Sequence, residues 1–327
     1  MSIQVTIIGL NQIGLSVGLA LGDKTDQFKR IGNDVYNNVA KQAQKLGAVD
    51  KVEGNLPRAV ESADIIVLDL PVEEIKITLE IIAPDLKPEV VILDTSPLHV
   101  EVIELAKQLL PKDCFFVKFT PNLNPTYLTK NEQGADDGQK DLFQNSLIAI
   151  SSAPGTKGDA VKLASDFAEV LGATPYFVDP YECDGLVAMS RQLPILLAVA
   201  LVNSTVDQVG WKEGGKMAGK DYARVAELIT SLADSKDPGM SAMFNKDNVL
   251  RVVDNLILSL REVRSTISEG DGKKLNEYYN KAQKGYEDWY RSRMTGNWEK
   301  DKSAKIPGAS DTLGSLIGLG RKNKKAS

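Results

Sequence analysis

The stretch Gly9-Leu10-Asn11-Gln12-Ile13-Gly14 has the residue types that hold a phosphate. It follows a β-branched run, Ile3 to Ile8, and precedes apolar residues at helical spacing, Ile13, Val17, Ala20 and Leu21. A glycine-bounded turn between a strand and a helix offers backbone N–H groups and the positive end of the helix dipole to an anion. The dinucleotide fingerprint at such a turn is G-x-G-x-x-G: a tight turn, a close approach to the pyrophosphate, and a close helix–strand contact. Asn11 stands at the middle position. Asparagine tolerates left-handed backbone better than most residues, so the turn survives with a less open approach. Asp34 follows a second short strand, Phe28 to Gly32, about 20 residues beyond Gly14, where a carboxylate accepts hydrogen bonds from the adenosine ribose. That charge repels a 2′-phosphate and favours NAD over NADP, and Asn33 beside it keeps the preference modest.

The elements around this turn alternate. A helix fits Tyr36 to Leu46, stopping at Gly47. Ile65–Leu70 is a continuous apolar run that reads as a strand buried on both faces, and Val90–Leu93, Cys114–Val117 and Leu147–Ile150 are further strands. Helices fit Val72–Ile82, His99–Leu110 and Lys157–Leu171. Such alternation predicts α/β architecture, a Rossmann-type, mostly parallel sheet covered by helices, over residues 1–178. An all-α domain is expected over 179–296, with helices at Leu186–Val202, Asp221–Ala233, Ser241–Ser268 and Lys273–Arg293. The first of these is apolar on nearly all sides, which places it centrally or in an interface; a homodimer through the helical domain is expected. Residues 297–327 carry seven Lys/Arg against three acids and read as a flexible basic tail, with one apolar patch at Leu313, Leu316, Ile317 and Leu319.

Composition bounds the function. A net charge of −5 lacks the basic footprint of a nucleic-acid binder. Cys114 and Cys183 are the only two cysteines, so no disulfide framework organises the chain and a reducing cytoplasm is the simpler home. No uninterrupted apolar run reaches the roughly 18 residues of a membrane span, no secretory signal is visible, and no metal site is expected.

Longer motifs identify a resemblance. GLNQIGLSVGLAL (Gly9–Leu21), IGNDV (Ile31–Val35), LGAVD (Leu46–Asp50) and ADIIVLDLPV (Ala63–Val72) resemble the prephenate/arogenate dehydrogenase family, as does DPYECDGLVAMSRQLPILLAVAL (Asp179–Leu201) in the second half. The family pattern for the fourth stretch is A-D-x-V-V-L-A-x-P-V, which places Leu70 and Pro71 beside the cofactor. The resemblance implies oxidation of prephenate or arogenate, with hydride passing from ring C4 to the nicotinamide and carbon dioxide leaving as the ring aromatises. It also implies a histidine base in a His-Pro-Met-Ala-Gly-type loop and a serine after the fifth strand. Two helix histidines and a later basic residue for the substrate's carboxylates complete the implied set.

The chain departs at most of these places. The loop reads Thr120-Pro121-Asn122-Leu123-Asn124, so Thr120 stands at the base position, and threonine only donates and accepts a hydrogen bond near neutral pH. Pro97 falls where the serine is expected, with Ser96 one residue earlier. The helix motif Ser-His-Leu-Pro-His becomes Arg191-Gln192-Leu193-Pro194-Ile195. The later cation is Lys246, with Arg224 as a second. The candidate set is therefore Thr120, Ser96 and Gln192 at the chemistry, and Arg191, Lys246 and Arg224 toward a small carboxylate-bearing substrate. The chain's one histidine, His99, reads as an exposed residue at a helix start, with a functional role left open. Three functions remain: an oxidoreductase of this type with an altered site, a non-catalytic dinucleotide-binding protein, and a reductase for a different small carboxylate.

Overall fold

The computed structural model describes residues 2–128, 138–232 and 235–296; the expected basic tail and its apolar patch lie outside them. The chain divides into two compact units. One runs to Pro180 and takes in the chain again from Trp289; the other is Tyr181–Asp288.

The first unit is an eight-stranded sheet. Its strands are β1 (Ile3–Ile8), β2 (Phe28–Asn33), β3 (Lys51–Val52), β4 (Ile65–Leu68), β5 (Val91–Asp94), β6 (Phe115–Pro121), β7 (Leu147–Ser152) and β8 (Thr174–Phe177), in the order β3-β2-β1-β4-β5-β6-β7-β8. All neighbours are parallel except β6 and β7. Helices α1 (Gln12–Ala20), α2 (Asn37–Lys45), α3 (Leu56–Val60), α4 (Val72–Ile82), α5 (Val100–Leu109) and α6 (Gly158–Val170) make the connections. Every residue of β4 and β5 is buried, as strands with helices on both faces require. Phe28, Phe119 and Phe167 pack edge-on and tilted in the core beneath α6. Strand order reverses between β1 and β4, and the crevice outside the carboxyl ends of those strands is where open α/β sheets take ligands.

Short elements escaped the sequence reading. β3 has two residues and α3 five, too few to show a period, and β8 carries a proline in a run with no fully buried residue.

In the second unit, one continuous helix runs from Pro180 to Val206 as α7 (Pro180–Val187), a wide π turn (Ala188–Gln192) and α8 (Leu193–Val206). Pro194 explains the wide turn: it has no N–H to donate, and its ring clashes with the carbonyl four residues back in a regular helix. Four more helices follow, α9 (Trp211–Met217), α10 (Lys220–Ala226), α11 (Pro238–Phe244) and α12 (Lys246–Ser268), and α13 (Gly272–Thr295) leads back into the first unit. The expected helix Ser241–Ser268 is thus two helices parted at Asn245. Its side chain explains the break: the amide donates to the Asp184 carbonyl and to Gln192 Oε1, each at 2.8 Å, and leaves the helical path to do so.

One helix bears on two of the expectations. Pro180–Val206 is a helix of 27 residues with a mean hydropathy of 1.8 in its most apolar stretch, so by length and composition it could cross a membrane. Arg191 and Gln192 interrupt its apolar residues, so no uninterrupted run in the sequence reaches that length. The same helix is not buried centrally: Ala198 is the only residue of α8 fully buried within the chain.

Candidate active site

The opening turn is built as a phosphate cradle. Gly9 has φ +84, and a Cβ there would lie 2.0 Å from the Asp69 carbonyl oxygen. A Cβ on Gly14 would lie 2.2 Å from the Gly9 carbonyl oxygen, so both glycines are required by the backbone packing. Gln12 and Ile13 open α1, and their amides have no intrahelical partner by construction. Asn11 is exposed, and its side-chain amide donates to the Asp69 carbonyl at 3.2 Å. Leu10 points its side chain into the core while its backbone N–H donates to Asp34 Oδ2 at 2.9 Å. Asp34 thereby closes the turn from the end of β2, with Oδ1 accepting from Tyr36 N at 2.8 Å. Asn33 is buried and donates to the Glu53 carbonyl at 2.7 Å. Leu70 and Pro71, both partly buried, join β4 to α4 at the same crevice. Cradle, orphan amides and carboxylate are the parts an adenine dinucleotide needs, so the residues fit the group.

One further acid stands in this crevice. Asp69, directly after β4, accepts from Gly14 N at 2.8 Å, and Thr95 Oγ1 lies 3.3 Å from its other oxygen. Burial, with Asp94 and Asp34 nearby, pushes its carboxyl up to about 6 against those two hydrogen bonds. The sequence held the signal, an aspartate at the alanine position of the A-D-x-V-V-L-A-x-P-V pattern.

Beyond β5 and β6 lies a closed polar network. The parallel register sets Asp94 beside Lys118, and both side chains are fully buried and paired. Lys118 Nζ also donates to the Ser96 carbonyl and Ser96 Oγ, each at 2.8 Å, while Ser96 Oγ donates to Asp94 at 2.7 Å. Thr120 Oγ1 donates to the Ser96 carbonyl at 2.9 Å. His99 is not an exposed helix-start residue: it is 0 % exposed, with Nε2 at 2.9 Å from Thr120 Oγ1 and Nδ1 against Ser151 Oγ. With the Thr120 proton on the Ser96 carbonyl, Nε2–H donates to Thr120 and Nδ1 accepts from Ser151. The structure therefore joins Ser96, Thr120 and His99, which the sequence treated separately.

The remaining candidates belong to the helical unit. Gln192 is buried, its Nε2 donating to the Ser241 carbonyl at 2.7 Å and its Oε1 accepting from Asn245, so its amide staples the π turn to α11 and α12. Arg191 lies in the π turn, Arg224 on α10 and Lys246 at the first position of α12, and all three are exposed.

Residues 17–176 match the family model for the prephenate dehydrogenase nucleotide-binding domain, and residues 179–281 the model for the prephenate dehydrogenase dimerization domain. The cyclohexadienyl dehydrogenase of Zymomonas mobilis is 26% identical over 283 residues, covering 86% of this chain and 94% of that protein. The prephenate dehydrogenase of Bacillus subtilis is 26% identical over 302 residues, covering 89% of this chain and 77% of that protein. Among solved structures, an A. aeolicus prephenate dehydrogenase in complex with hydroxyphenyl propionate and NAD+ superposes with a TM-score of 0.77 at 18% identity, over 88% of this chain and 98% of that one. Synechocystis arogenate dehydrogenase gives 0.68 at 21% identity, over 88% of this chain and 100% of that one. With both family models matched in order over most of its length, the chain belongs to the prephenate dehydrogenase family.

Proposed function

We propose that this chain is an NAD-dependent dehydrogenase of a small cyclohexadienyl carboxylate, prephenate or arogenate, working as a cytoplasmic homodimer through its helical domain. The observation that carries the cofactor reading is the Asp34 carboxylate bonded to the Leu10 amide of the glycine turn, a negative group held where a ribose hydroxyl pair is read. NAD supplies the hydride acceptor when bound. The chain's own part is to hold the diphosphate on the α1 amides, to discriminate against a 2′-phosphate with Asp34, and to keep the hydroxyls of Ser96 and Thr120 in fixed orientation at the ends of β5 and β6. Arg191, Lys246 and Arg224 are the cations we assign to the substrate's carboxylates. A lysine meets a carboxylate as a point charge and an arginine as a fork.

The fixed network bears on the base. General-base catalysis contributes roughly 10²–10⁴ in rate, and a threonine whose proton already has an acceptor contributes none of it directly. Turnover slower than in relatives with a histidine at this position is expected. A second reading, a dinucleotide-binding member without turnover, is favoured by one observation: the single histidine is wholly enclosed and bonded on both nitrogens.

Titration with NADH and NADPH, followed by NAD reduction in the presence of prephenate and of arogenate, separates the readings. Binding with measurable reduction supports the first, and firm NADH binding without reduction supports the second. Absence of binding to either cofactor removes both. Asp34→Ala is expected to weaken NADH about tenfold and NADPH little; an equal loss for both shows that Asp34 does not read the ribose.

A further inference from the structure

The carboxylate of Asp69 occupies a place where a negative charge is costly once a dinucleotide is present. Its Oδ2 takes the Gly14 amide, in the first turn of α1, and its carbonyl lies under Gly9. The diphosphate of a dinucleotide carries two negative charges and must rest on the same turn. An ionised Asp69 would face it across a few ångströms of partly desolvated crevice, where like charges strongly disfavour the ionised acid. A protonated Asp69 reverses the interaction: its carbonyl oxygen keeps the Gly14 hydrogen bond, and its O–H becomes a donor for a phosphate oxygen.

The surroundings decide in the same direction. From β2, Asp34 adds negative charge, and from β5, Asp94 does the same. The cation on β6, Lys118, is spent on Asp94 and Ser96, and His99 at the front of α5 is bonded to Thr120 and Ser151. Thr95 offers a single hydroxyl, which also donates to the Leu68 carbonyl at 3.0 Å. α1 brings no basic residue to its first turn. Burial and the two neighbouring acids already hold the free carboxyl at about 6.

We propose that Asp69 is a ligand of the dinucleotide's diphosphate in its protonated form, so that cofactor binding takes up one proton from solvent at this residue. The proposal deepens the dinucleotide reading and rests on it. In the bound state the proton sits between Asp69 and a phosphate oxygen; the proton leaves again when the dinucleotide does. Affinity therefore falls as pH rises above the range of the free carboxyl, by up to tenfold per pH unit. The family pattern with alanine in place of Asp69 has no such dependence from this position.

Calorimetric titration of the full chain with ADP-ribose tests this without any redox step, at pH 5.5 to 8.5 in buffers of different ionisation enthalpy. The wild type is expected to take up between one half and one proton per site near pH 7.5 and to bind at least tenfold more weakly at pH 8.5 than at pH 6. Asp69→Asn, which keeps an acceptor for Gly14 N, is expected to bind without proton uptake and with a flat profile. Asp69→Ala serves as the second variant should the first be poorly folded, and adenosine, which has no diphosphate, should show no slope with either protein. Equal proton uptake in wild type and variants, or none in the wild type, overturns the proposal while leaving the dinucleotide reading in place. No binding of ADP-ribose by any of the proteins at any pH overturns both.

Discussion

The two units finish their cores differently. In the sheet unit, all of β4 and β5 is buried, and the core continues without a break from Ile3 to Ala173. In the helical unit, the buried apolar cluster is Ala188, Val249 and Val252, with Leu193, Leu196, Ala242 and Val253 partly covered around it. Leu197 on α8 and Leu250, Ile257, Leu258 and Leu260 on α12 remain exposed. A sheet between two helical layers can bury its apolar residues within one chain, whereas a helix apolar on nearly all sides has more apolar surface than its own few neighbours cover. The model of the family's dimerization domain matches this half of the chain, and a second copy packed on these residues would bury them. Polar groups follow the same division. The sheet unit gathers Asp94, Ser96, Lys118, Thr120 and His99 into one buried network at the ends of β5 and β6, while the helical unit uses Gln192 and Asn245 to fasten helices together.

The largest effect is expected in the sheet unit, from Lys118→Met. It leaves Asp94 buried without its cation, and breaking a buried pair in this way costs about 3–5 kcal/mol. Urea denaturation at neutral pH measures it, and a loss below about 1 kcal/mol would show that Asp94 finds another partner or water. The helical unit responds to Leu197→Glu instead. A charge in the centre of an apolar interface is expected to weaken association by about 2 kcal/mol or more, roughly 30-fold, and to shift the chain to monomer at micromolar concentration. Light scattering after size exclusion reads this directly. An unchanged dimer places Leu197 outside the interface, and a monomeric wild type shows that the helical unit stands with this apolar surface uncovered.

Much of this division was legible in the sequence. The β-branched run ending at Gly9, the apolar runs of β4 and β5, and the helices Val72–Ile82 and Gly158–Val170 stand in the structure within a residue or two of where periodicity puts them. The spacing of Asp34 from Gly14 set it at the end of the second strand beside the glycine turn, and there its carboxylate accepts from the Leu10 amide. His99 was not. A histidine before a helix reads as exposed, and only the turn of the chain after β5 carries it inward, between Thr120 on β6 and Ser151 on β7. Lys118 carries a signal in the sequence itself: a lysine amid Phe115-Phe116-Val117 and Phe119, in a strand covered on both faces, demands a buried acid. That acid is Asp94, but only the β5–β6 register names it. The break at Asn245 is invisible to periodicity, because the apolar spacing of α11 and α12 is continuous across it and the cause is a side-chain hydrogen bond to another helix.

The smallest effect concerns the cofactor crevice in the unliganded chain, where function costs the sheet unit some of its stability. Asp69 has its carboxyl raised to about 6 in the folded chain, first by burial and then by Asp94 and Asp34, against an ordinary value of 3.8. The folded state therefore binds this proton more tightly than the unfolded state does. The stability it contributes is fully present below pH 4 and is lost as pH rises through about 6, levelling off above. A shift of that size corresponds to about 3 kcal/mol at 1.36 kcal/mol per unit, and the partial exposure of Asp69 to solvent reduces this to roughly 1 kcal/mol. Asp69→Asn removes the titration. Compared with the wild type, it is expected to gain about 1 kcal/mol in unfolding free energy between pH 4.5 and pH 7.5, measured without nucleotide. A difference between the two proteins that stays constant with pH would mean that water reaches the crevice freely and that Asp69 titrates as an ordinary carboxylate.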